Sequence, residues 1–249
     1  MKRLLICILV CTCLSAALAQ DVATLIRQGN ECDDRHQPDQ ALRFYLPAEN
    51  LDPKNAALLV RITRQYIRRM NGLGSNAQKL ESARTALAYA ERAKGLDPFN
   101  SDAHLSIAIC LGRLAQLQGA REKVEAARRI KESAEKAASL DPNSDYAWHI
   151  LGRWHQGMAG ANSLLLGLAK IIYGDIPAAS NEQALSYFQK AIALRPDRLI
   201  HTIELGRTYA QMGRREEARQ WLEKGLAMPN RDFDDVETKL RARVALKKL

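Results

Sequence analysis

Apolar positions recur along this chain at the spacing of one helix face, and the periodic stretches are punctuated at regular places. Four Ala-rich stretches end in a leucine, a charged residue and a proline: Leu51-Asp52-Pro53, Leu96-Asp97-Pro98, Leu140-Asp141-Pro142 and Leu194-Arg195-Pro196. Proline cannot continue a helix. Asn55, Asn100 and Asn143 follow the first three strings and are of the type that caps the next helix. Each string is therefore a stop and a restart, and the chain reads as all-α.

Counting back from each proline returns the same order of large and small residues. Trp148, Leu151, Gly152 and His155 open one unit, which Ala184, Phe188, Ala191 and Pro196 close. Leu205, Gly206, Tyr209, Ala218, Leu222 and Gly225 form the next, and Leu25, Gly29, Ala41, Tyr45, Ala48 and Pro53 the first. Two middle units are looser. Leu59, Ile62 and Tyr66 precede Ala86, Ala90 and Ala93, while His104, Ile107, Ala108 and Leu111 precede Ala134 and Ala137. The order resembles the tetratricopeptide repeat. Small residues let paired helices approach closely, and large ones fill the groove between neighbouring units. The prediction is a tetratricopeptide-like α-solenoid of about five helix pairs, with Phe233 to Leu249 as a C-terminal capping helix of polar outer face.

The prolines lie 45, 44 and 54 residues apart, against about 34 for the ordinary unit. The surplus falls between the two helices of a repeat. Asn71 to Asn76 and Gln118-Gly119-Ala120 are the expected turns, flanked by lengthened helices. The third insertion, about 157–179, is apolar and includes Leu164, Leu165, Leu166, Leu168, Ile171, Ile172 and Tyr173. It is expected either to fold back over Trp148 and Trp154 or to act as a lid or membrane-touching element. Lys170 and Asp175 interrupt it, which excludes a membrane span.

The first residues change where the protein is expected to work. Lys2 and Arg3 precede an apolar run to Leu14, and Ala17-Leu18-Ala19 has small residues where a signal peptidase looks. Residues 1–19 are expected to be a signal peptide, leaving a repeat domain over 20–249 in the periplasm or outside the cell. Three of the five cysteines lie in that leader; Cys32 and Cys110 read as small buried hydrophobes. The 37 basic and 28 acidic residues give a net charge of +9, and loss of Lys2 and Arg3 leaves +7. For an exported chain this favours acidic protein surfaces or anionic lipid over nucleic acid.

The segment His149-Ile150-Leu151-Gly152-Arg153-Trp154, the apolar insertion and Gly174 to Ser180 resemble the regulator of microtubule dynamics family. Glu182-Gln183-Ala184-Leu185 and Phe188-Gln189-Lys190-Ala191 continue the likeness. The resemblance covers most of the chain after Gln20 and is strongest from Asp141 to Pro196. It implies a helical repeat domain without catalysis, acting in microtubule association or at membrane contacts in eukaryotic members. This chain departs from those members in beginning with a cleavable-looking leader.

Chemistry-bearing residues show no catalytic pattern. His36, His104, His149, His155 and His201 lack metal-site spacing, and no nucleophile elbow, phosphate loop or Cys-x-x-Cys occurs. No cofactor or metal is implied, and the protein is expected not to be an enzyme. One pattern does stand out. In tetratricopeptide arrays the ninth position of each first helix tends to line the concave face; here it is Asn30, Arg64, Ile109, Arg153 and Arg207, with Arg68 and Arg113 at the thirteenth. With His149 at a fifth position, these arginines predict a groove for an acidic peptide or protein, since guanidinium offers a planar fork to carboxylate. The alternatives are arginines that solvate a helix face or pair with neighbouring glutamates. A second functional expectation is lipid or amphiphile binding by the apolar insertion together with the basic groove.

Overall fold

A computed structural model describes residues 21–174 and 178–249, so the expected signal peptide and the Asp175–Pro177 end of the insertion lie outside the described residues. Residues 21–34 are helical (α1). The helices that follow are α2 (Pro38–Leu51), α3 (Ala56–Arg69), α4 (Asn76–Leu96), α5 (Ser101–Leu117), α6 (Ala120–Leu140), α7 (Asp145–Ala159), α8 (Ser163–Tyr173), α9 (Asn181–Leu194), α10 (Leu199–Gln211), α11 (Arg215–Ala227) and α12 (Asp235–Leu246). Among the described residues there is no strand. The chain forms two compact units, one ending at Pro98 and the other beginning at Phe99.

The boundaries follow from the residues named above. Asn55 accepts a hydrogen bond from the Leu58 amide and Asn100 from the Ala103 amide, both at 3.0 Å, so each restarts its helix. Asn143 does not; Ser144 holds the N-cap place of α7, and the Asn143 amide instead donates to Asp141 at 3.0 Å. The lengthened repeats appear as two 21-residue helices, α4 and α6. Ser75 and Gln78 close a reciprocal capping box at the start of α4.

In the first unit α1 faces α2 through Tyr45, whose hydroxyl donates to Asn30 at 2.8 Å, and α3 packs between α2 and α4. The second unit holds three hairpins, α5/α6, α7/α9 and α10/α11, with α6 on α7 and α9 on α10. The repeat alanines are fully buried: Ala86, Ala90 and Ala93 in one hairpin, Ala134 and Ala137 in another, Ala184 and Ala191 in a third. Gly152 and Gly206 show why the signature needs a glycine. A Cβ on Gly152 would stand 2.8 Å from the Phe188 ring, and one on Gly206 2.9 Å from the Leu222 amide nitrogen. Cys32 and Cys110 are buried free thiols.

Two features of the second unit depart from expectation. The insertion is a separate helix, α8, lying on α6, while Trp148 stacks on Tyr187 and the Trp154 indole donates to the Ala127 carbonyl at 2.8 Å. The closing helix does form, packed on α10 and α11, but its outer side is mixed rather than polar, with Glu237 and Arg243 exposed beside apolar residues. Val236, Leu240 and Val244 are 61%, 52% and 53% exposed. On its inner side Asp235, Thr238 and Ala242 are buried, and Ala245 and Leu246 pack against the same core.

Candidate functional site

The arginines that the sequence singles out are held by carboxylates of their own chain. In the first unit Arg64 and Arg68 of α3 both reach Asp33 at the end of α1, Arg64 at 3.4 Å. The neighbouring Arg61 donates to Asn30 at 3.0 Å. Burial raises the Tyr45 phenol to about 12, helped by the negative charge of Asp33 and opposed by Arg61 and Arg64.

The second unit repeats the arrangement between successive hairpins. Glu204 of α10 is 1% exposed and accepts Arg153 of α7 at 2.7 Å and Arg207 at 2.7 and 2.8 Å. Burial alone would push the Glu204 carboxyl up. The charges of Arg153, Arg207 and Arg241 outweigh it and hold the group below the usual carboxylate range. Two guanidinium groups on one carboxylate leave a surplus positive charge, and Arg153 and Arg207 remain 35% and 31% exposed. Arg113 of α5 is paired apart from them, with Asp234 at 3.0 Å.

His149 does not line an open surface. It is buried beside Arg153's helix turn, its Nδ1 3.0 Å from Nδ1 of His201, whose Nε2 lies 2.7 Å from Asp145. A carboxylate accepts, so His201 Nε2 carries the proton and its Nδ1 is the acceptor. His149 Nδ1 therefore donates. Arg198 completes the network, reaching Asp145 at 2.5 Å and Asp232 at 2.9 Å. Burial, then the charges of His201, Arg153, Arg241 and Arg198, keep His149 well below the ordinary imidazole value. His201 is lowered too, burial outweighing Asp145. This histidine pair is an internal tie between α7 and α10.

Sequence reasoning missed the acidic halves of these pairs. Asp33, Asp145 and Glu204 are each buried on a helix, and apart from Arg207 their partners lie 31 to 56 residues away. Only Arg207, three positions after Glu204, gave a local signal.

The insertion residues divide. Leu165 and Leu166 of α8 face Val124 and Ala127 of α6 and Met158 of α7 across a cleft of about 160 Å³, with Lys123 and Arg128 also lining it. Leu164 and Ile171 point outward, Ile171 at 82% exposed. Leu168 and Ile172 are half-buried. The side chain of Tyr173 lies outside the described residues. Among the described residues no group of three His, Cys, Asp or Glu could hold a metal ion, and no helix is long and apolar enough to cross a membrane.

Helical hairpins closed by Gly-to-aromatic contacts, tied by buried ion pairs, define a tetratricopeptide-type repeat protein. A thermophilic protein of this type from Thermus thermophilus has the same fold, with TM-score 0.65 and 18% identity over 91% of this chain and 99% of that one. The pilF protein of Pseudomonas aeruginosa shares it at TM-score 0.56 and 14% identity, covering 93% of each chain. The family described as Regulator of microtubule dynamics protein 1-3 matches residues 25–249, and the chain belongs to that family. Regulator of microtubule dynamics protein 1 of Bos taurus is 28% identical over 202 residues, covering 80% of this chain and 63% of that protein. The Mus musculus protein 1 is 30% identical over 158 residues, 63% of this chain and 52% of that protein. Protein 3 of Bos taurus is 26% identical over 219 residues, 87% of this chain and 46% of that protein. The chain thus spans about half to just under two thirds of these relatives' length.

Proposed function

We propose that the protein is a non-enzymatic scaffold whose paired arginines receive the carboxylates of an acidic peptide or protein. The supporting observation is the two-to-one ratio at Glu204. One arginine neutralises the buried carboxylate, and the second leaves a positive charge at a partly exposed guanidinium fork, the geometry that carboxylates bind best. Arg64 beside Arg68 on Asp33 is the corresponding pair of the first unit. The relatives' name ties them to microtubule dynamics. What carries over to this chain is the binding of a protein partner, here outside the cytoplasm after removal of residues 1–19. The mature protein then begins at Gln20, which N-terminal sequencing reads directly.

The test is capture from the cell-envelope fraction with the protein and with its R64Q/R207Q variant. Each substitution leaves one arginine on its carboxylate, so the fold is kept. An acidic partner held by the first and lost by the second is expected. Equal capture by both counts against the reading.

A second reading rests on the cleft beside α8. Its walls are apolar, and Lys123 and Arg128 place positive charge at it, which suits a small anionic amphiphile. Mass spectrometry of gently purified protein tests it; absence of any co-purifying amphiphile removes this reading and leaves the first intact.

A further inference from the structure

The chain between α11 and α12, residues 228–234, does more than join two helices. It sets two carboxylates, two positions apart, on arginines of other hairpins. Asp234 accepts from Arg113 of α5 at 3.0 Å, across 121 positions of sequence. Asp232 accepts from Nε of Arg198, the N-cap residue of α10, at 2.9 Å. Tyr146 of α7 belongs to the same place, with the Arg198 guanidinium 4.5 Å from the centre of its ring. Burial raises the Tyr146 phenol well above its ordinary value; Arg198 opposes the rise, and the charges of Asp232 and Asp234 add to it. The segment thus touches the first helices of three successive hairpins, as an acidic peptide laid across them would.

These contacts are not what holds α12. Its inner side is anchored by Ala242, Ala245, Leu246 and Leu249 on Leu199, Ile203 and Leu222. The turn before it is shaped by the buried Asp235, whose carboxylate accepts the Arg231 and Asp232 amides, both at 2.7 Å. Arg198 is held separately by Asp145 at 2.5 Å, so its fork stays aimed when Asp232 leaves. The Asp232, Asp234 and Arg113 side chains remain 33%, 29% and 24% exposed. Ion pairs open to water to this extent contribute little to stability, so they are exchangeable. We propose that Arg113, Tyr146 and Arg198 form a binding site for an acidic peptide of the pattern Asp-x-Asp, and that residues 232–234 are its internal occupant, displaced when an outside peptide binds. The inference rests on the acidic-ligand reading above for the class of ligand, but on different arginines. A tethered occupant competes at high effective concentration, so an outside peptide binds weakly until the tethered carboxylates lose their charge or their place.

The test titrates a labelled peptide with the sequence of residues 230–236 into the full-length protein and into D232N/D234N. The variant is expected to bind at least about tenfold more tightly, with unchanged helical circular dichroism. Adding R113Q removes the gain, whereas adding R207Q leaves it. D234N alone, which leaves the Arg198 cluster intact, gives part of the gain and keeps the test open should the double variant be unstable. Equal affinity in the full-length protein and both Asp variants overturns the proposal, and so does a gain that survives R113Q. Peptide bound equally by those proteins and lost in R207Q overturns it while leaving the Glu204 reading intact. Binding by the Asp variants alone, unaffected by R207Q, supports this site and not that one; no binding by any of them overturns this site.

Discussion

Arg153 of α7 and Glu204 of α10 form an ion pair 2.7 Å long that ties one helical hairpin to the next from beneath the surface. Glu204 has the charges of Arg207 and Arg241 on it as well. Removing the carboxylate leaves the guanidinium groups repelling one another. Because Arg153 and Arg207 are about a third exposed, the cost falls below the roughly 3–5 kcal/mol of a fully buried pair. E204Q is therefore expected to lower the urea midpoint, whereas R207Q, which leaves Arg153 in place, costs less. Equal losses in the two variants would mean that the cluster is solvated rather than buried.

Gly152 and Gly157 lie on the same helix but in different surroundings. A Cβ at position 152 meets three Phe188 ring carbons within 2.9 Å, while one at position 157 meets nothing within 4 Å. G152A is expected to destabilise by about 1–3 kcal/mol through overpacking. G157A is expected to be neutral or to stabilise by up to about 1 kcal/mol, from helix propensity alone. Chemical denaturation of the two variants side by side measures the difference.

The His149–His201 pair makes stability depend on pH with a definite sign. Both imidazoles are held below their ordinary value in the folded protein, His149 strongly. In the unfolded chain they take up protons at about pH 6.5. Below that value the unfolded state binds more protons than the folded one, so stability falls as pH drops; above it these groups add no slope. Asp145 and Glu204 have the opposite chemistry but the same consequence. Their depressed values support the fold above the ordinary carboxylate range and cease to do so as they protonate below it. The urea midpoint is expected to be level from pH 8 to about 7 and to decline toward pH 5. H149Q keeps a donor for His201, removes one titrating ring and should flatten that decline.

The repeat itself was legible because it is written locally. A proline that must end a helix, an Asn that caps the next, and a glycine facing an aromatic all act within one hairpin. They placed every pair from α1/α2 to α10/α11. Of the helices expected to be lengthened on both sides of the first two turns, α4 and α6 are long at 21 residues, whereas α3 has the ordinary 14. The arginine positions were legible for the same reason, being set by register along a single helix. Their partners were not. Glu204 is recruited to Arg153 from 51 residues away, and its burial depends on how α10 lies against α7, which no local pattern specifies. His149 failed as a surface residue for a related cause: the fifth position of α7 is covered by His201 of the following hairpin. In α12 helix formation was evident, but which of its sides faces the core was not.

Direct titration of labelled peptides rich in Asp and Glu into the protein and into R207Q tests the central claim, that the arginine left over at Glu204 recruits acidic ligands. The account predicts binding that weakens with salt, prefers acidic over neutral peptides, and falls about tenfold or more in R207Q, a loss of at least about 1.4 kcal/mol. Affinity unchanged by R207Q, or neutral peptides bound as well as acidic ones, would contradict it.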